Sequence, residues 1–463
     1  MPLPAGFVKG PPAIDTAVAL CNHECVMNPL ADELNDALAG TIAGRLLSNL
    51  GRRFYFPKGI IAQSTEAKKA ATVANGTIGM AYAGGKPLIL SAIADNMASL
   101  SPEEAVAYAP TAGVERARTV WKDMMIQKNP SLKAAGISLP VVVPGLTSGL
   151  SCAADMFCSK GSSLLASDPC WDNYSLIFEV RRGTELVSVP FFGAGTGMNA
   201  GLDIEAIGAA VRHQAKSGTV RIIFNFPNNP SGYSPTVAEE EALVCIIREA
   251  AEGGADVLVI CDDAYFGLFY EDNISPESLF VRFADIHERV LAIKIDGPIK
   301  EDYVWGLRMG FLTFGSKGLN QSHYDALIRK LMGAIRSSVS CANTSAQYLM
   351  LKAMEDPRTP GEKDAYKAML QRRYNLVKDF VNNHPGHPAL RPLPFNSGYF
   401  MSFHCDVDAE ALRQELLGKH GIGIIALGEH CIRVAFSSID EEKITPVYQQ
   451  IYDTAAKMAE ADF

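Results

Sequence analysis

The middle of the chain alternates short apolar runs with segments of helical periodicity. Leu139–Val143, Ser163–Ala166, Leu186–Val189, Val220–Phe224, Val257–Cys261, Val290–Ile295 and Met309–Phe314 read as strands of four to six residues. Several are nearly continuous in apolar side chains, as expected when both faces of a sheet are covered. Between them, Leu202–Gln214 and Val237–Ala251 carry apolar positions at helical spacing. Such alternation predicts a parallel sheet wrapped by helices. After about residue 340 long helical patterns take over, followed by short strands at Gly398–Phe403, Ile422–Ala426 and Cys431–Phe436. Residues 41–94 also differ from the middle: a helical stretch, the Gly-punctuated Asn75–Gly79, and a turn at Gly84-Gly85-Lys86-Pro87. The expected fold class is therefore α/β, with a mostly parallel seven-stranded sheet between helices in a large domain, 95–336. A smaller α+β domain would be built from both chain ends, 41–94 and 337–463, after an N-terminal arm, 1–40.

Composition narrows the class of function. A chain of 463 residues with 48% hydrophobic and 20% charged side chains can bury a large core and is not patterned for disorder. A net charge of −9 repels phosphate backbones, so nucleic acid is not an expected partner. No run approaches eighteen apolar residues, so no membrane span is expected. Met-Pro-Leu-Pro-Ala-Gly at the start lacks the charged and apolar regions of a secretory signal, and a cytoplasmic location is expected. The ten cysteines are scattered without a CxxC pair and read as reduced thiols. Cys21-Asn22-His23-Glu24-Cys25 has no second ligand cluster and reads as a polar turn; no metal is expected.

Ligands of open parallel sheets bind beyond the C-terminal strand ends, so the residues just after each strand carry the most information. Val141-Val142-Val143 leads into Pro144-Gly145-Leu146-Thr147-Ser148-Gly149-Leu150-Ser151, a Gly-containing turn that opens a helix and would offer free N–H groups to a phosphate. Val220–Phe224 runs into Asn225-Phe226-Pro227-Asn228-Asn229-Pro230-Ser231-Gly232. Val257–Cys261 runs into Asp262-Asp263-Ala264-Tyr265. Val290–Ile295 runs into Asp296-Gly297-Pro298-Ile299-Lys300, with Arg308 eight residues on. Singly these are ordinary turn and cap residues. Jointly they set an amide, a carboxylate with a phenol, and a lysine on one sheet edge. Gly195-Thr196-Gly197-Met198-Asn199-Ala200 loosely matches a dinucleotide fingerprint, but no acidic residue ends a strand about twenty positions later, so it reads as a flexible loop.

In this order the motifs resemble those of fold-type I pyridoxal-phosphate enzymes, and within them class I aminotransferases similar to the aspartate and aromatic aminotransferases. Asn229-Pro230-Ser231-Gly232 is similar to the Asn-Pro-(Thr/Ser)-Gly signature, and Asp262-x-Ala-Tyr265 and Lys300-x7-Arg308-x-Gly310 follow it. Gly79–Pro87, Tyr108-Ala109-Pro110-Thr111-Ala112-Gly113 and Asp168-Pro169-Cys170-Trp171-Asp172-Asn173-Tyr174 resemble further family segments. The resemblance covers roughly residues 70–436.

The resemblance implies pyridoxal 5'-phosphate as cofactor and an amino group passed from an L-amino acid (aspartate, glutamate or an aromatic one) to a 2-oxo acid such as 2-oxoglutarate. Lys300 would hold the cofactor as a Schiff base and then move the α-proton. Lys294 is a rival, but it lies inside an apolar strand. Asp262 would keep the ring nitrogen protonated, Tyr265 and Asn229 would bond the ring's phenolic oxygen, and Trp171 would stack on the ring. Ser148, Gly149, Leu150 and Arg308 would hold the phosphate, with Tyr108 reaching the phosphate of a neighbouring subunit in a homodimer with shared sites. Gly79 and Arg433 would face the substrate, Arg433 binding its α-carboxylate. Arg336 resembles an arginine that reaches a side-chain carboxylate across the dimer. The sequence departs from the family at Gly297, where a phosphate-binding serine is usual; at Tyr174, where a histidine is usual; and at Cys341-Ala342-Asn343. An amino-acid lyase or decarboxylase is the alternative on the same fold. A cofactor-binding regulator would need a DNA-binding module, for which no length is left over.

Overall fold

The computed structural model describes residues 27–37, 39, 60–77, 79–134, 136–193 and 200–461. The Cys21–Cys25 turn and most of the Gly195–Ala200 loop lie outside the described residues. The chain forms two units, Met1–Tyr55 and Phe56–Phe463. Of the first, the described part is chiefly the helix Pro29–Ala37. The second holds the sheets and the site.

All seven expected central strands form: β1 (Val141–Val143), β2 (Ser163–Asp168), β3 (Glu185–Pro190), β4 (Thr219–Asn225), β5 (Asp256–Asp262), β6 (Val290–Asp296) and β7 (Gly310–Gly315). They make one sheet in the order β1-β7-β6-β5-β4-β2-β3. β7 is antiparallel to both neighbours and the remaining pairs are parallel. β1 is shorter than the apolar run suggests. Its strand begins only after Pro140, which has no N–H to give to a ladder. The helix Ile204–Ala215 is capped by Asp203, and Val237–Glu252 by a Thr236/Glu239 capping box.

Strand pleating sorts each central strand onto two covered faces. Leu258, Ile260, Ile293 and Ile295 pack beneath the helices Leu146–Phe157 and Gln321–Ser338. Val257, Val259, Cys261, Val290 and Ala292 pack on the other side, with Ile207, Val211, Val244 and Ile247 of the two capped helices. This parity puts Asp262 on the first face and sends Lys294 and Asp263 to the second.

A four-stranded antiparallel sheet follows, β8 (Leu390–Pro392), β9 (Phe400–Cys405), β10 (Ile425–Ala426) and β11 (Cys431–Ala435), in the order β8-β9-β11-β10. The sequence pattern misses β8, an edge strand containing a proline, and runs β10 together with Ile422–Gly423. Ile422–Gly423 instead pairs in parallel with Ala74–Asn75, so residues from both ends of the second unit join one smaller α+β part. The Gly84-Gly85 turn closes a hairpin of Tyr82–Ala83 with Lys86–Pro87.

Candidate active site

The C-terminal ends of β4, β5 and β6 and the N-terminus of the helix Leu146–Phe157 enclose a cavity of about 220 Å³. Among the residues lining it are Thr147, Trp171, Asn229, Asp262, Tyr265, Lys300 and Arg308. Lys300 stands on the short helix Pro298–Glu301 that follows β6. Its ammonium donates to the Gly79 carbonyl at 3.2 Å and lies 4.9 Å from the centre of the Tyr265 ring. No carboxylate of the described residues forms an ion pair with it. Burial, reinforced by the cations Arg308 and Arg433, pushes the Lys300 amine down to about 7, against a smaller opposing pull from Asp262. Lys294 is a different kind of lysine. Fully buried on the opposite face, it pairs with Asp263 and lies 3.4 Å from Asp296, whose other oxygen accepts the Trp121 indole N–H at 3.0 Å. Its charge is spent within the core.

Asp262 ends β5 on the cavity side. Oδ2 accepts the Tyr174 hydroxyl at 2.6 Å, while Oδ1 is buried without a partner among the described residues. Burial raises its carboxyl to about 6, and the bond from Tyr174 partly offsets that. Asn225, which the motif reading passed over, organises the neighbourhood. Its amide donates to the Asp262 carbonyl and its side-chain oxygen accepts the Asn229 N–H, both at 2.8 Å. Its position as the last residue of β4, beside the last residue of β5, was the available signal. Trp171 lines the cavity and meets Tyr174 edge-on at 5.6 Å.

The other end of the cavity is cationic. Gly145 precedes the helix at φ 85° without any side-chain cap, so the first N–H groups of the helix have no intrahelical acceptor. A Cβ on Gly145 would stand 2.7 Å from Arg308 Nη2, so the guanidinium lies directly over this residue. The lining side chains from the helix are Leu146, Thr147 and Leu150. Of the expected phosphate set, Leu150 and Arg308 therefore reach the cavity. Ser148 and Gly149 do not line it: their N–H groups donate back to the Gly145 carbonyl, and Gly149 faces Ile295 and Val143. Thr147 was the missed residue, because the turn's sequence does not mark where the helix begins. No side chain fits at Gly297 without a shift of the neighbouring backbone. A Cβ there would lie 2.9 Å from the Gly310 Cα and 3.1 Å from the Met309 carbonyl. Gly297→Ser should therefore destabilise the fold by about 1–3 kcal/mol without tightening cofactor binding, measured by thermal denaturation and coenzyme titration.

Arg433 lies on β11, buried, with its guanidinium 4.3 Å from the Phe400 ring centre. Nη1 donates to Asn229 Oδ1 at 2.9 Å, Nη2 donates to the Thr77 carbonyl at 3.2 Å, and Nε has no partner among the described residues. It has no ion pair among the described residues, although Asp172 acts on it from a distance, and its free Nε is available to an anion. Gly79 sits beside Lys300 and Tyr265, where a Cβ would come within 3.7 Å of Lys300 Nζ. Two expected residues are not brought to the cavity of their own chain. Tyr108 is 92% exposed, and Arg336 is exposed on the last turn of Gln321–Ser338.

Residues 80–451 match the profile of the family described as aminotransferase class I and II. The chain belongs to this family. Among its relatives, a probable aspartate/prephenate aminotransferase of Aquifex aeolicus is 25% identical over 289 residues, 62% of this chain and 66% of that one. An arginine–pyruvate transaminase of Pseudomonas aeruginosa is 24% identical over 292 residues, 62% of this chain and 65% of its own. The match thus spans just under two thirds of either relative. An aminotransferase structure from Anaerococcus prevotii has the same fold, with a TM-score of 0.76 at 22% identity, covering 87% of this chain and 97% of that one. Class I aminotransferases use pyridoxal phosphate, and this aminotransferase-family chain presents what the coenzyme requires: an unpartnered buried carboxylate oxygen at Asp262, an unpaired lysine, and an uncapped helix N-terminus beside Arg308. An amine that is half neutral near pH 7 has a direct consequence. Capture of pyridoxal phosphate by the unloaded protein should accelerate about tenfold per pH unit up to about pH 7 and level off above it. A rate still climbing at pH 10 would contradict the depressed amine.

Proposed function

We propose that the protein is a pyridoxal-phosphate-dependent aminotransferase that passes an amino group from an L-amino acid to a 2-oxo acid such as 2-oxoglutarate. The observation that carries this reading is Lys300: a buried amine without a counter-ion among the described residues, in a cavity that Asp262 lines with an unpartnered carboxylate oxygen, while Arg433 nearby keeps an unpartnered Nε. When bound, the coenzyme supplies an aldehyde on an electron-accepting ring that makes the α-proton of an amino acid removable. The protein residues do the rest. Asp262 Oδ1 would hold the proton of the ring nitrogen, and Tyr265 and Asn229 would bond the ring's phenolic oxygen. Trp171 would cover one ring face. Leu146 and Thr147 backbone N–H groups, the Thr147 hydroxyl and Arg308 would hold the phosphate, replacing the expected Ser148 and Gly149. Arg433 would clamp the substrate α-carboxylate, with Gly79 leaving room beside it. Lys300, half neutral near pH 7, would take the α-proton and return it one step later.

The remaining parts of this reading concern assembly and placement. The large cofactor-binding domain is read as 95–336 and the described part of the small domain as 60–94 with 337–463, supported by the pairing of Ala74–Asn75 with Ile422–Gly423; the expected arm 1–40 and residues 41–59 lie largely outside the described residues. The protein is read as a homodimer with shared sites. Val106 at 85% exposed, Tyr108 at 92% and Val339 at 50% would be covered by the partner, and Tyr108 and Arg336 would enter the partner's cavity. A cytoplasmic location is supported by the described cysteines, all of them free. No helix of the described residues is long and apolar enough to cross a membrane. Mixing the loaded protein with single amino acids tests the activity. Transamination converts the coenzyme stoichiometrically to pyridoxamine phosphate without an oxo acid present, whereas steady turnover of the amino acid alone would refute it. Repeating the screen on Arg336→Ala should selectively reduce aspartate and glutamate by about tenfold or more if that residue reads a side-chain carboxylate. An unchanged preference would remove Arg336 from the site.

A further inference from the structure

Tyr174 is the departure that the sequence alone leaves without a consequence. Its side chain is buried at 1% exposure, and its hydroxyl donates to Asp262 Oδ2 at 2.6 Å. The ring is fixed from two sides, edge-on to Trp171 at 5.6 Å and to Phe178 at 6.1 Å. Its own N–H donates to the Trp171 carbonyl at 3.1 Å, and a π-type helical turn, Ser175–Val180, begins at the next residue. Wide turns of this kind are frequent where a side chain must be aimed. The phenol therefore cannot swing away from Asp262 without repacking the aromatic cluster and the turn.

We infer that Tyr174 is a positioning residue for the coenzyme: its hydroxyl occupies Asp262 Oδ2 and leaves Oδ1 as the one oxygen offered to the ring nitrogen. The inference rests on the coenzyme reading of the cavity. The charged and titratable groups that bear on the pair are few. Asp262 meets Tyr174, Lys300 across the cavity and Asp263 from the opposite strand face, and the nearby Ala264 N–H makes no hydrogen bond to Oδ1. Tyr174 also has Tyr265 and the Cys170 thiol near it. Burial and the adjoining carboxylate push the Tyr174 hydroxyl well above the ordinary phenol range, so it remains a one-proton donor wherever the protein is folded. A histidine at this position would change its charge near neutral pH. A phenol gives Asp262 a fixed partner of constant charge, and the carboxylate that faces the ring then keeps the same proton affinity across that range.

The test is to load wild-type protein and variants with pyridoxal phosphate labelled with 15N in the ring, and to measure coenzyme affinity and the ring-nitrogen resonance. Tyr174→Phe keeps the packing and removes the donor. It should weaken coenzyme binding at least tenfold and move the resonance toward the unprotonated value. Tyr174→His restores a donor and should return the resonance toward that of wild type. In an Asp262→Asn background, Tyr174→Phe should change affinity less than twofold, because the phenol acts through the carboxylate. The inference is overturned if Tyr174→Phe leaves resonance and affinity within twofold of wild type. It is equally overturned if the loss is undiminished in the Asp262→Asn background, or if Tyr174→His behaves like Tyr174→Phe. Failure of the wild-type protein to take up the coenzyme would overturn the coenzyme reading itself.

Discussion

Lys300→Ala is expected to lower kcat/KM for the amino donor by about 10⁴-fold or more, the upper end of what a positioned acid–base group contributes, while the protein stays folded. Among the described residues the side chain is held by a single bond to the Gly79 carbonyl and by no ion pair, so its removal strands no paired charge. Lys294→Ala should do the reverse. It strands Asp263 and Asp296 in the core and is expected to cost about 3–5 kcal/mol of stability, yet the folded fraction should still capture coenzyme. Thermal denaturation and coenzyme-capture assays on the two variants separate the roles. A Lys300→Ala protein that retains even a hundredth of wild-type turnover would remove this residue from the proton-transfer step.

Arg433→Lys should raise KM for every amino acid and oxo acid tested, with kcat/KM falling by roughly 100-fold, about 3 kcal/mol, for the loss of a forked, charge-assisted contact. The replacement keeps a positive charge but cannot hold Asn229, the Thr77 carbonyl and a carboxylate from one planar group. Coenzyme affinity should fall much less than kcat/KM, since Arg433 does not line the coenzyme cavity and reaches it only through Asn229. Stopped-flow half-reactions with alanine, aspartate and phenylalanine check this. A loss confined to one substrate would reassign Arg433 to side-chain recognition.

The sheet was legible because its strands are buried on both faces, so unbroken apolar runs such as Val257–Cys261 mark them directly. The chemistry at their ends was legible because the polar residues stop those runs abruptly: Asn225, Asp262 and Asp296 are each the last residue of a strand. Pleat parity also separates Asp262 from Asp263 and Lys294 from the cavity, and that separation needs only a residue count along a strand. Three things were not legible. The antiparallel direction of β7 leaves no mark in a six-residue apolar run. The start of the helix at Leu146 depends on the left-handed φ of Gly145, and with it the choice of Thr147 over Ser148 and Gly149. The bond between Tyr174 and Asp262 joins residues 88 apart, and neither carries a sign of the other.

The most direct measurement of the central claim is reduction of the coenzyme-loaded protein with borohydride, followed by proteolysis and mass mapping. The account predicts one stoichiometric pyridoxyl group, on the peptide that contains Lys300, and none on Lys294. A label on any other lysine, or protein that stays unmodified after saturation with coenzyme, would contradict it.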